Sequence, residues 1–429
     1  MRTSFDSKAH VKKNNSLLET PVGRTFIDAM KCVEHRMPLA NTKIAVAVSG
    51  GSDSLALLLL AQAWSQRFGQ KVIAFTVDHH LRKESTQEAL SVQKYMQALD
   101  IPHEILQWFP PENLQHGHIE KVARTARYER LTEACWRHEA RILLVGHTQN
   151  DQIETMLLRA SRKSSDFGLA GMSVLRFLHP YLAVARPLLK VTRFDLQHFL
   201  KQNDVLWFAD PSNENPAFKR VLLRKALLHV HREIYQDLVL VSRFYAIERR
   251  FYTIATIRFL KESACIIGMR IKIKIAPFKA ASLPLQQHIL RRIISCVGGK
   301  MYPPNKQQLS QACEKISSLE CVQFTLGRTI IDKRKASFTI FREKRHIPPV
   351  VQLAPKDLIC WDGRFWFYSI AVHPYWIYPQ KGKTDPDFYK EGMTAKKNSF
   401  SLNMEGQSPS FPHNITYIAA SIENIFKDW

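Results

Sequence analysis

Apolar positions along the chain follow two rhythms. Short apolar runs at residues 44–48, 71–77, 103–108 and 141–145 read as strands, the first of them with the β-branched, continuous character of a strand buried on both faces. Between them, stretches beginning near Leu55 and Ile119 carry the spacing of helices. Strands alternating with helices predict an α/β fold, a doubly wound parallel sheet, over residues 41–225. Residues 1–40 read as an N-terminal extension with a first helix. Beyond 225 the pattern changes: residues 226–345 read as a linker helix, then helices near 284–296 and 305–317 and strands at 322–326 and 337–341, a basic α+β unit. Aromatic residues crowd between Trp361 and Tyr378 in a small C-terminal segment, 346–429, expected to be partly flexible over 382–410.

The first strand and first long helix meet at Ser49-Gly50-Gly51-Ser52-Asp53-Ser54. Paired glycines let the backbone approach a ligand, and the N–H groups that open a helix favour an anion. A glycine turn alone often only joins two core elements. Here three hydroxyls and a carboxylate at the same turn add phosphate donors and an oxygen ligand for Mg²⁺. The turn has no lysine of the kind that completes a Walker A loop.

In such a sheet ligands lie beyond the carboxyl ends of the strands, so the other strand ends are candidate site segments. The second strand ends in Asp78-His79-His80-Leu81-Arg82, and the fourth is followed by a stretch from His147 through Asp151 to Glu154. Asp151 and Glu154 are three apart at the start of a helix whose other side carries Ile153, Met156 and Leu157. Both carboxylates can therefore face one cleft, to hold Mg²⁺, orient an ammonium group or accept its proton. The plainer reading, that they favour the helix N-terminus by about 0.3–1 kcal/mol, is compatible with it. Arg124, Arg127 and Arg130 recur at a spacing of three, which suits either a solvated helix face or an anion-binding row.

The turn Ser49–Ser54 resembles the SGGxDS loop of the PP-loop (N-type) ATP pyrophosphatases, which cleave ATP between its α and β phosphates. The segment from Asp78 to Arg82 is similar to that superfamily's D-H-x-L-R. Ala123-Arg124-Thr125-Ala126-Arg127-Tyr128 is similar to the A-R-x-x-R-Y of its tRNA-modifying members. An ordered set resembles the tRNA(Ile)-lysidine synthetase family over roughly residues 40–225: His147 to Thr155, Arg159, Arg162, Gly168-Leu169-Ala170-Gly171-Met172, Arg186-Pro187-Leu188-Leu189, Asp210-Pro211-Ser212-Asn213, Arg220 and Arg224. Two departures stand out: Asn150 replaces a common aspartate, and Arg162-Lys163-Ser164-Ser165 lacks the glycines of R-G-S-G.

The resemblance implies a ligase that uses ATP to adenylate C2 of the wobble cytidine in an isoleucine tRNA with a CAU anticodon and then couples L-lysine, releasing AMP and pyrophosphate. It implies that Ser49, Gly50, Gly51, Ser52, Asp53 and Ser54 hold ATP, and that Asp53, Asp151, Glu154 and His147 are catalytic. Asp53 and Asp151 would also hold Mg²⁺. His80, Arg82, Arg124, Arg127, Arg186, Arg220 and Arg224 would meet the substrate or the tRNA.

Charge adds a polyanionic partner. The 429 residues hold 61 Lys and Arg against 38 Asp and Glu, a formal net charge of +23, which points to nucleic acid first. Between Arg328 and Arg345 seven basic residues face two acidic ones, marking the second unit as a candidate tRNA binder. The seven cysteines include no CxxC pair, so neither zinc nor a redox dithiol is signalled, and a cytidine-thiolating PP-loop enzyme is disfavoured. An amidating enzyme of the NAD or GMP synthetase kind has no need of a basic second unit. An RNA-binding protein with a vestigial nucleotide fold has no need of Asp53, Asp151 and Glu154. No leader-like apolar segment opens residues 1–20, and no apolar run is long enough to span a bilayer. The expectation is a cytoplasmic protein without a membrane partner, with a homodimer as a further expectation.

Overall fold

The computed structural model describes residues 15–81, 84–111, 119–162, 164–179, 182–208, 219–267, 270–300, 302–318, 320–346, 351–353, 358–362, 364–369, 375–379, 391–396, 400–403 and 415–419. The chain divides into two units, residues 1–163 with 168–246, and residues 164–167 with 247–429. The division after Ala246 lies further along the chain than the 225/226 boundary expected from the pattern.

The first unit opens with α1 (Asn15–Leu18) and α2 (Pro21–Arg36), followed by β1 (Lys43–Ala47), α3 (Ser52–Phe68), β2 (Lys71–Asp78), α4 (Ser85–Ala98), β3 (His103–Gln107), α5 (Ile119–Arg137), β4 (Ala140–Leu144) and α6 (Gln149–Ala160). After a short α7 (Asp166–Leu169), divided between the units after Phe167, come β5 (Leu175–His179), β6 (Leu182–Ala185), α8 (Arg193–Gln202), α9 (Lys219–Leu228) and the long α10 (Arg232–Ser263), which belongs to the first unit as far as Ala246. The six-stranded sheet has the order β3-β2-β1-β4-β6-β5. Its first five strands run parallel, and β5 is an antiparallel edge on β6.

Strand β1 shows why helices must cover both faces. Successive side chains of a strand point to opposite sides. Ile44, Val46 and Val48 enter one core with the leucines of α3 and with Phe26, Met30 and Val33 of α2, while Ala45 and Ala47 enter a second core with Phe75, Leu143 and Leu131 of α5. This is the doubly wound α/β arrangement expected from the alternation of strands and helices. Helix α3 is apolar all round because it is buried all round, from Leu55 through Ala61. It stops where Gly69 adopts the left-handed conformation at φ 74°.

The second unit adds β7 (Ala264–Ile267), β8 (Arg270–Lys274), α11 (Ile275–Ala280), α12 (Leu283–Gly298), α13 (Lys306–Ser318), β9 (Val322–Leu326), β10 (Thr329–Lys333) and β11 (Ser337–Arg342). These strands form a five-stranded sheet in the order β7-β8-β11-β10-β9, whose paired neighbours are antiparallel. Ile271, Ile273, Ile331, Phe338 and Ile340 project from the sheet into a core shared with Ile289 and Ile293 of α12 and Leu309 and Ile316 of α13.

The basic run of this unit is not all surface. Lys333 and Arg342 are buried, and Arg342 pairs with Asp362 at 2.6 Å and donates to the Arg328 carbonyl at 2.9 Å. Arg334, Lys335, Lys344 and Arg345 are exposed, so only part of the counted charge is available to a polyanion. Further strands occur among the described C-terminal residues. Of the stretch expected to be flexible, residues 391–396 and 400–403 are strands, and the rest lies outside the described residues.

Candidate functional site

The turn between β1 and α3 is built by its own hydroxyls. Ser54 Oγ donates to the Gly51 carbonyl at 3.0 Å and accepts the Ser49 N–H at 3.1 Å, folding the loop back on the first turn of the helix. Gly50 takes φ 79°, and its carbonyl accepts the Phe208 N–H at 3.0 Å. A Cβ at Gly50 would lie 2.7 Å from the Phe208 ring, whereas one at Gly51 would meet only Ser49 Oγ, at 3.7 Å. Gly50 is thus required by the fold, and Gly51 leaves open space for a ligand. No side chain caps the start of α3, so its leading N–H groups and macrodipole are available to an anion. Gly146 brings the end of β4 against the same turn, its Cβ position only 2.9 Å from the Asp53 carbonyl.

The carboxylates converge on a residue the sequence did not single out. Arg193, first residue of α8, donates from Nε to Asp53 Oδ2 at 3.0 Å and lies 3.6 Å from Asp151 Oδ1. Its backbone N–H is accepted by Asn150 Oδ1 at 2.9 Å, so the asparagine supplies the acceptor that an aspartate would also supply. Asp151 closes a capping box on α6: its Oδ2 accepts the Thr148 N–H at 2.8 Å and the Thr148 hydroxyl at 2.9 Å. Cap and cleft residue are one and the same. Glu154 is 1% exposed and pairs with Arg224 Nε at 2.9 Å. Arg220 donates to Thr155 Oγ1 at 3.3 Å.

Electrostatics separates the two aspartates. Burial pushes Asp53 above the usual carboxylate range, with Asp151 adding to the rise, although Arg193 opposes it. Burial also works to raise Asp151, but His147, the Thr148 donors and Arg193 outweigh it and hold the group below its ordinary value. A positive guanidinium therefore already bridges Asp53 and Asp151. That donor set fits Mg²⁺, which binds through one or two carboxylates and takes its remaining oxygens from phosphate and water. No group of three or more His, Cys, Asp or Glu able to cage a metal occurs among the described residues, so phosphate oxygens would have to complete the shell.

A second, basic group lies at the ends of β2, β4 and β6. His147 is pushed down to about 3, first by burial, with Asp151 opposing and Arg186, Arg124 and Arg127 adding to the fall, and its buried Nδ1 has no hydrogen-bond partner among the described residues. The imidazole is neutral near pH 7. His79 is likewise lowered to about 4 by burial and Arg127, with its Nδ1 unpartnered. Arg186 is buried and donates to the Ser173 carbonyl at 3.1 Å, and Arg124 lies over the Tyr128 ring at 5.3 Å. Burial lowers the pKa of Arg127, and no carboxylate pairs with it among the described residues. Guanidinium groups without acid partners, beside an anion loop, suit phosphate.

His80 is less free than its sequence position suggests. Its Nδ1 meets the Trp108 carbonyl at 3.3 Å, its Nε2 lies 3.4 Å from Asp78, and its ring stacks on Phe109 at 4.2 Å. Asp78 accepts from Ser85 and Thr86, both at 2.7 Å, and so locks the end of β2 to α4. Arg82, and the stretch from Asp210 to Asn213, lie outside the described residues. The Gly168–Met172 run has a structural reason: Gln152 exchanges hydrogen bonds with the Met172 backbone at 2.6 and 2.8 Å, and Arg159 donates to the Gly168 and Gly171 carbonyls.

A parallel sheet whose first strand runs into an SGGSDS turn, with carboxylates and arginines gathered at the neighbouring strand ends, defines a PP-loop nucleotide-binding protein, and residues 25–231 match the family model of the PP-loop domain. The chain is 33% identical over 72% of its length to the tRNA(Ile)-lysidine synthase of Hyphomonas neptunium, covering 84% of that protein. It is 32% identical to that of Rhizobium meliloti, over 75% of this chain and 72% of the relative. It is 33% identical to that of Brucella melitensis biotype 1, over 81% of this chain and 79% of the relative. The chain belongs to the tRNA(Ile)-lysidine synthase family.

Proposed function

We propose that this chain is an ATP-dependent ligase that joins L-lysine to C2 of the wobble cytidine in an isoleucine tRNA. The observation that supports it most is the convergence of Asp53 and Asp151 on Arg193 beside the phosphate-type turn, with Glu154 three residues beyond Asp151 on the same helix. The cytosine carbonyl oxygen is a poor leaving group. Its attack on the α phosphate of ATP forms an oxygen–phosphorus bond and expels pyrophosphate. A neutral lysine amine then attacks C2, and AMP leaves with the oxygen.

In this reading the backbone at Gly50 and Gly51, the hydroxyls of Ser49, Ser52 and Ser54, and the opening N–H groups of α3 hold the departing pyrophosphate. Arg124, Arg127 and Arg186, with the neutral His147, face the remaining phosphate or the RNA, and His80 braces that wall. Asp53 and Asp151 would hold Mg²⁺, which when bound neutralises charge on the phosphates. Glu154 orients the amine and takes its proton. Because Arg224 now occupies Glu154, the substrate ammonium must displace that guanidinium first.

The test is Asp151→Asn. Turnover should fall by roughly a hundred-fold or more, the scale of a positioned acid–base or metal ligand, while tRNA affinity and the unfolding midpoint stay close to wild type. Lost tRNA binding would make Asp151 a purely structural cap. AMP and pyrophosphate formed equally well without lysine or tRNA would sink the ligase reading itself.

A further inference from the structure

The two aspartates of the cleft share a cation that belongs to the chain itself. Arg193 Nε donates to Asp53 Oδ2 at 3.0 Å, and Arg193 Nη2 lies 3.6 Å from Asp151 Oδ1. The three side chains are only 25%, 19% and 14% exposed for Arg193, Asp53 and Asp151, so water screens these pairs less than it screens a surface pair. The guanidinium is delivered from a fixed backbone. The Gln149 N–H donates to the Val191 carbonyl at 2.8 Å and the Arg193 N–H donates to Asn150 Oδ1 at 2.9 Å, which staples the start of α6 to the chain entering α8. The capping box of Thr192 and Asp195 holds the same turn, the Asp195 N–H donating to Thr192 Oγ1 at 3.1 Å. Any change of partner therefore falls to the Arg193 side chain.

The charges around it are few. Glu154 also acts on Arg193 but is paired with Arg224 at 2.9 Å, Asn150 adds no charge, and His147 is neutral near pH 7. Two carboxylates on one guanidinium remain. A divalent cation reaching Asp53 and Asp151 by itself has to expel that guanidinium and give up water as well, and Mg²⁺ dehydrates reluctantly. A triphosphate changes the balance. It supplies the metal's remaining oxygens and offers the expelled guanidinium an anion it can grip through two N–H groups. We propose that Arg193 is a resident counter-ion that keeps divalent metal off Asp53 and Asp151 until ATP brings it, so that metal and nucleotide enter together. The inference rests on the reading of Asp53 and Asp151 as Mg²⁺ ligands. Between turnovers the same pairing spares the cleft two uncompensated carboxylates.

Arg193→Gln removes the charge, and Arg193→Lys keeps it. Mn²⁺ serves as the probe, its binding to the full chain without nucleotide read from the electron paramagnetic resonance of the free ion. Arg193→Gln should bind Mn²⁺ about ten-fold or more tightly than wild type, the scale of one hydrogen bond to a charged group. Arg193→Lys should stay nearer the wild type. The gained site should vanish when Asp53→Asn is added, and the unfolding midpoint of Arg193→Gln should rise with Mn²⁺ while that of the wild type does not. Equal Mn²⁺ affinity in wild type and Arg193→Gln overturns the proposal, as does a gained site that survives Asp53→Asn. Tight Mn²⁺ binding by the wild type without nucleotide, abolished by Asp53→Asn, overturns it whether or not Arg193→Gln folds. Wild-type turnover that needs no divalent metal removes the parent reading instead, and with it the role of Arg193.

Discussion

At the scale of single residues, the site is held by long-range partners. Arg193 stands 140 positions from Asp53, and Arg224 stands 70 from Glu154. Asp151 and Glu154 stand out in the sequence by their spacing and Asp53 by its place in the glycine turn, but nothing local tells which remote guanidinium will close on each. Arg193 follows Thr192 at the start of a capping box with Asp195, and reads in sequence as an ordinary helix beginning.

The buried histidines give a residue-scale prediction. The folded pKa of His147 is about 3 and that of His79 about 4, both below the ordinary 6.5. Between those values and 6.5 the unfolded chain binds protons that the folded chain refuses, so stability is full above 6.5 and is lost as pH falls. The slope is on the order of 1 kcal/mol per pH unit for each such histidine. The raised Asp53 works in the opposite direction, since the folded form keeps its proton longer than the unfolded one. Thermal unfolding is therefore expected at a lower temperature at pH 5 than at pH 7.5, with a smaller difference in His147→Gln. An unchanged difference in that variant would show that His147 is charged in the fold.

At the scale of elements, the hydrophobic pattern carries far. The strand expected over 322–326 is observed at those residues, and the helix expected to begin near Ile119 runs from Ile119 to Arg137. What the pattern leaves out are short strands such as β6 (Leu182–Ala185) and β7 (Ala264–Ile267), four residues each, whose apolar runs are too brief to separate from loops. The antiparallel edge β5 (Leu175–His179) is as long as β3, but Arg176 and His179 interrupt its apolar residues, so no run marks it. The Gly50-Gly51 turn, by contrast, is legible as chemistry but not as a division of labour. Gly50→Ala forces a Cβ against Phe208 at a positive φ and should lower stability by about 1 kcal/mol or more and weaken ATP binding together. Gly51→Ala finds room, so it should keep the unfolding midpoint and lose ATP affinity alone. Calorimetry and nucleotide titration of the two variants separate these outcomes, and equal destabilisation by both would contradict the distinction.

At the scale of the whole molecule, the excess of basic residues suggests a polyanionic partner and the family supplies its kind. The charge is nevertheless an imperfect guide to the surface, because Lys333 and Arg342 serve the interior of the second unit. No helix among the described residues is long and apolar enough to cross a membrane. The chain covers 84% of the Hyphomonas neptunium relative, so the likeness extends well beyond the nucleotide-binding portion. The most direct measurement is the chemical identity of the wobble nucleoside after reaction. An isoleucine tRNA with a CAU anticodon is incubated with the chain, ATP and isotope-labelled lysine, digested to nucleosides and analysed by mass spectrometry. The expected result is labelled lysine joined to the wobble cytidine with the oxygen at C2 lost, one AMP and one pyrophosphate being released per coupling. An unmodified cytidine, a sulfur-bearing one, or label found only as aminoacyl ester would contradict it.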